Sequence, residues 1–182
     1  MKKIAALTLA LISGAALAHP QAGGAHTHGF IAGFAHPFTG LDHLLAMLAA
    51  GIWSARQSNA RWLPCVFIGM VMVGMASGAA GLAIPALETG IAATVVLTGV
   101  LIAVAARLPA AAGAVMVGAF ALLHGNAHGH ELPQAASAFG LLLASSLLVC
   151  GGSVLGRVAP ALALKLSGAA IAATGVMLVA AV

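Results

Sequence analysis

Charge is what this chain has least of. Only 5% of its 182 residues are Asp, Glu, Lys or Arg, against about a quarter in a soluble domain. So few charges cannot cover a water-facing surface, which leaves the lipid bilayer as the solvent. Tyrosine is absent and aromatic residues make up 4%. The formal net charge is +4, but the basic residues are scattered, which excludes a nucleic-acid footprint. No lysine-rich tail suggests a lipid-surface switch. The two cysteines, Cys65 and Cys150, stand alone in apolar runs, so they are expected as buried small hydrophobes rather than a disulfide or metal pair. Alternating polarity is missing, which argues against a closed barrel and leaves helices as the spanning element.

What is present is apolar and small. Hydrophobic residues make up 62% of the chain and the mean hydropathy is +1.12. The 23 glycines and many alanines suit helices packed closely in a membrane. The expected fold class is therefore all-α, a polytopic transmembrane bundle.

The first 18 residues, MKKIAALTLALISGAALA, read as a signal peptide: Lys2 and Lys3, a short apolar run, then Ala16-Leu17-Ala18 as the cleavage site. Cleavage would leave residues 19–182 as a single transmembrane domain. His19 would then carry a free α-amine beside its imidazole, a pair able to chelate a transition metal. His26 and His28 follow in a Gly-rich segment, where a His-x-His either collects metal or forms part of a solvated linker. Six apolar stretches come next, at about residues 30–55, 62–84, 87–106, 110–130, 134–156 and 159–181, each near the roughly 20 residues that cross a bilayer. With the mature N-terminus outside, Arg56, Arg61, Arg107, Arg157 and Lys165 all fall on one side, which the positive-inside pattern makes cytoplasmic. Asp42, Glu88 and Glu131 gather toward the other side, with the histidines. The expected location is the bacterial inner membrane, with a periplasmic N-terminus.

Two polar clusters interrupt the apolar spans. The first runs from His36 to Asp42 and His43; the second is His124-Gly125-Asn126-Ala127-His128-Gly129-His130-Glu131. Ionisable residues at membrane depth are costly and usually functional. On a helix, His124, His128 and Glu131 share one stripe, while His130 lies off it and is expected to face a connection or water. Gly125 and Gly129 would loosen this helix or admit another backbone. Pro37 and Gly40 disfavour a continuous helix through the first cluster, which predicts a broken or re-entrant start and a helix from about Leu41. Asp42 and His43, being adjacent, should diverge by about 100°. Met47 reads as core filler. Imidazole with carboxylate and no thiolate suits Ni2+, Co2+ or Zn2+, with Fe or Mn behind them.

At these residues the chain resembles the HupE/UreJ family of nickel permeases, over nearly the whole mature length. The family's H-x5-D-H motif is met by His36, Asp42 and His43. Its F-H-G-x-A-H-G-x-E motif is met by His124, Gly125, Ala127, His128, Gly129 and Glu131, with Leu123 in place of the leading Phe. The resemblance implies uptake of Ni2+, with Co2+ as a second cargo, from the periplasm for hydrogenase or urease maturation. The expected metal ligands are His36, Asp42, His43, His124, His128 and Glu131, with His19, His26, His28 and His130 as lesser candidates.

No Walker motif is present, so the chain itself is not expected to hydrolyse ATP. Secondary transport or facilitated diffusion follows. A membrane metalloenzyme would want a general base or nucleophile beside its metal, and neither an HExxH nor a serine occurs in either cluster; the chain is read as no enzyme. A metal sensor or accessory protein that binds without transporting is the other alternative, and short loops leave it no output domain. No prosthetic group is expected. The partners are a divalent metal ion and the bilayer, with a homo-oligomer left open.

Overall fold

The computed structural model describes residues 29–58, 61–132 and 134–182; the expected signal peptide, His19, His26 and His28 lie outside them. Among the described residues the chain forms seven helices and no strand: α1 (Phe30–Thr39), α2 (Leu41–Ala55), α3 (Leu63–Ala79), α4 (Leu87–Ala103), α5 (Ala110–Glu131), α6 (Ala135–Val158) and α7 (Ala161–Ala181).

Prolines and left-handed residues punctuate these helices. Pro109 and Pro160 stand immediately before α5 and α7, where a missing N–H costs nothing. Gly81, at φ +82°, closes the turn after α3, a backbone region open to glycine. Three helices are long and apolar enough to cross a membrane: α5, α6 and α7, with 22, 24 and 21 residues. The pair α1 and α2 passes the same test when taken together, bent by 84° at Gly40. Helices α3 and α4 are apolar but have 17 residues each, about 25 Å, the short limit for a bilayer's hydrocarbon core.

The expected first span, 30–55, is thus two helices. The break falls at Gly40 alone, in extended conformation (φ −97°, ψ 116°), and α1 continues as helix through Pro37. Pro37 removes one backbone donor, and the short α1 tolerates it because its neighbour holds it. Gly33 lies against the Ser137 carbonyl, Gly140 against the Phe30 carbonyl, and the Ser137 hydroxyl donates to the Gly29 carbonyl at 3.1 Å.

Glycine sets the packing throughout. Gly74 and Gly78 of α3 meet the Leu122 and Asn126 carbonyls of α5, and Gly125 and Gly129 of α5 meet those of Val71 and Met75. Two small-xxx-small stripes therefore interlock, with the helices parallel. Gly152 and Gly156 of α6 fit against Leu48 and Ile52 of α2, also parallel, while Gly99 of α4 faces Gly168 and Ala172 of α7 in antiparallel register. These contacts put α2 at the centre, where Met47, Ala49 and Trp53 are essentially sealed from solvent. The outside is apolar too: Ile31, Val115, Phe139 and Val158 are each at least 70% exposed. A helix apolar all round belongs in lipid. Cys65 and Cys150 correct the expectation of burial, since both lie free on that outer surface, on α3 and α6.

The directions of the helices sort the polar groups by end. The start of α2 and the last turns of α1 and α5 carry the histidines. The opposite end carries Arg56, Arg61, Arg107, Arg157 and Lys165.

Candidate metal site

The break at Gly40 and the last turns of α5 bring both histidine clusters to one place. His124 and His128 point inward and are fully buried, because the adjacent Gly125 and Gly129 press the neighbouring face of α5 onto α3. Glu131, three residues on, lies at the rim with its side chain 49% exposed. Its Oε2 is 2.8 Å from His36 Nε2 and 3.6 Å from His128 Nδ1, the second too long for a hydrogen bond. One ligand atom from each of His36, His128 and Glu131 lies within 4.8 Å of the others, a set able to close on a single ion.

Deeper in, the rings form a series. The centroids of His36 and His128 are 5.0 Å apart, those of His128 and His43 4.3 Å, and those of His43 and His124 5.4 Å. His36 is the exposed member, with 29% side-chain exposure, and the other three rings are buried. Asp42 Oδ1 stands 2.8 Å from His43 Nδ1, although the pair is not aligned as a hydrogen bond. Adjacent helical residues ordinarily diverge. Here both fold back over Gly40, where a Cβ would lie 3.0 Å from Asp42 Oδ1 and 3.3 Å from His43 Nδ1. All six expected ligands of the two motifs therefore meet at one end of the bundle.

Backbone contacts fix which nitrogen is free. His124 Nδ1 is 2.9 Å from the Phe120 carbonyl, which can only accept, so Nδ1 carries the proton and a neutral ring presents its lone pair at Nε2. That Nε2, with those of His43 and His128, has no hydrogen-bond partner among the described residues. Buried polar atoms are normally paired, and three imidazoles in one cluster, each with an unpaired Nε2, have the chemistry of an acceptor site for a cation.

His130 faces away from this cluster, exposed, with Nε2 3.1 Å from the Leu82 carbonyl. Asn126, given no role from sequence, has a structural one. Its amide donates to Ser77 Oγ at 2.9 Å and to the Leu82 carbonyl at 3.0 Å, clamping the connection between α3 and α4. A polar residue amid the motif on the glycine side of α5 was the available signal. Met47 is fully buried in the apolar core, as expected.

A chain whose described residues form only helices, apolar inside and out, with histidines gathered at one end and basic residues at the other, is a helical membrane protein. The family model described as HupE / UreJ protein matches residues 7–178. Protein HupE of Rhizobium leguminosarum bv. viciae is 38% identical over 182 residues, spanning 90% of this chain and 94% of that protein. The chain belongs to the HupE/UreJ family. No solved structure matches it significantly.

Proposed function

We propose that the chain is a permease for a divalent transition metal, nickel first and cobalt second, carried from periplasm to cytoplasm through the histidine and carboxylate cluster. In this reading residues 1–18 are a cleaved signal peptide and six spans remain, α1 and α2 forming the first. The histidine end faces the periplasm and the arginine end the cytoplasm. The observation that carries the proposal is the series of adjacent imidazoles, three of them buried with Nε2 atoms that have no partner among the described residues.

Glu131 and His36 at the rim would attract the hydrated cation and exchange its first waters. His128 would join them, and His43 with Asp42 would take the ion further in, toward His124. Each step offers a nitrogen or carboxylate oxygen, the borderline donor set that suits nickel and cobalt. No single residue has to hold the ion tightly, which favours release as well as entry. His19, His26 and His28 would gather metal at the outer mouth.

Radioactive nickel uptake at submicromolar metal tests the proposal, comparing cells that carry the wild type, His128→Ala and Asp42→Ala at matched membrane levels. Uptake above the empty-vector control in the wild type and its loss in both variants is the expected result. Wild-type uptake equal to the control would overturn nickel transport.

A further inference from the structure

Below His124 the structure has a small cavity of about 10 Å³, bounded by Ala46 and Ala50 of α2, Thr94 and Thr98 of α4, and Phe67 of α3, with Trp53 at its far side. A second cavity of about 70 Å³ opens at the basic end, between Arg56, Arg107, Leu164 and Lys165. Trp53 is the lining residue common to both. One indole thus separates the space under the histidines from the arginine end.

Its position is fixed by polar contacts at one edge and packing at the other. Trp53 Nε1 donates to the Ala106 carbonyl at 3.2 Å. Gln57, one turn on, donates to the same carbonyl at 3.2 Å and to the Trp53 carbonyl at 3.2 Å, and accepts from Leu108 N–H at 3.0 Å. The far edge of the ring lies against Gly113 of α5, where a Cβ would come within 3.2 Å of Cη2. The accepting carbonyl belongs to an unusual turn. Ala105 is left-handed at φ +53°, a conformation costly for a residue with a Cβ. It ends α4 with Ala106 N–H bonded to the Leu101 carbonyl at 2.9 Å.

We infer that Trp53 is the inner plug of the ion path, latched shut through Gln57 and the Ala106 carbonyl, and that movement of the α4–α5 connection opens it. This rests on the permease reading. The indole is the bulkiest side chain between the cavities, and its N–H and the Gln57 amide let go of the same acceptor if that connection shifts. Thr94 and Thr98 bond carbonyls of their own helix at 2.7 Å each, leaving hydroxyl oxygens for a partly hydrated ion in transit.

Cysteine accessibility tests the plug without metal. Thr98→Cys is placed in a Cys65→Ala/Cys150→Ala background, and a membrane-impermeant thiol reagent is applied to sealed vesicles of either orientation. The introduced thiol should label slowly from the basic face, and markedly faster from that face alone when Trp53→Ala is added. Each latch bond lost raises an open population about two- to tenfold, so Gln57→Leu, which keeps the indole and loses two bonds to the connection, should raise it at least that much. Trp53→Phe, which keeps most of the bulk, guards against misfolding of the alanine variant. Unchanged labelling in Gln57→Leu and Trp53→Phe, or acceleration from both faces alike, overturns the plug. A wild type that takes up no nickel overturns the permease reading, while labelling still decides whether Trp53 closes the path.

Discussion

His43, in the first turn of α2, and His128, in the last turn of α5, stand with ring centroids 4.3 Å apart and planes tilted by 60°. They are 85 positions apart in the chain, and their helices meet through side chains, here and where Trp53 lies against Gly113. Two imidazoles so near one another cannot both carry charge without strong repulsion in a low-dielectric interior, and each presents an Nε2 without a partner. Proton and metal compete for the same atoms.

Nickel binding should therefore weaken with acid. An imidazole binds metal through its lone pair, which protonation occupies. A ring that is protonated must shed its proton before it can bind. Affinity measured by titration calorimetry on purified protein should fall by about tenfold per pH unit for each proton displaced. Affinity held constant down to about pH 5 would count against histidine ligation.

The glycines beside these histidines make a separate prediction about stability. Gly129→Ala would put a Cβ 2.2 Å from the Met75 carbonyl, which a rigid helix cannot vacate. The expected cost is about 1–3 kcal/mol, read as a lower unfolding temperature in detergent. Gly69→Ala and Gly151→Ala meet nothing within 4 Å and should leave stability unchanged or slightly raised. Equal effects at all three positions would refute the interlocked α3–α5 contact.

Much of this was legible in the sequence. Spacing alone puts His124, His128 and Glu131 on one stripe, and Gly40 marks the break, although Pro37, expected to share in it, lies inside α1. Hydropathy located the apolar stretches because lipid demands long apolar segments. Spacing could not reveal that Asp42 and His43 converge, since that depends on the room left at Gly40. Nor could it reveal that α1 packs on α6, a tertiary contact made by Gly33 and Gly140. The cysteines were misread because in a membrane protein an apolar residue has two apolar places to go, the core and the lipid face.

Neighbours in the second motif should differ in what their loss does. His130 is exposed and bonds the Leu82 carbonyl, so His130→Ala should keep nickel uptake within about twofold and cost under about 1 kcal/mol. Asn126→Leu removes both bonds that clamp the α3–α4 connection, a loss of about 0.5–1.5 kcal/mol for each bond. Uptake and thermal unfolding on both variants check this. Loss of uptake in a stable His130→Ala protein would add His130 to the metal path.

Gly40→Ala tests the convergence of the first motif. The backbone there is extended, a conformation open to alanine, so the substitution adds no strain of its own and unfolding temperature should barely change. The new Cβ would instead meet Asp42 Oδ1 at 3.0 Å and His43 Nδ1 at 3.3 Å. Those groups end flexible side chains, so they move aside and the chain still folds. Moving them separates carboxylate from imidazole, and a metal site loosened by even about 1 Å loses much of its hold. Nickel affinity should fall several-fold with stability preserved. Affinity equal to wild type in a folded Gly40→Ala protein would show that Asp42 and His43 do not act on the ion as a pair.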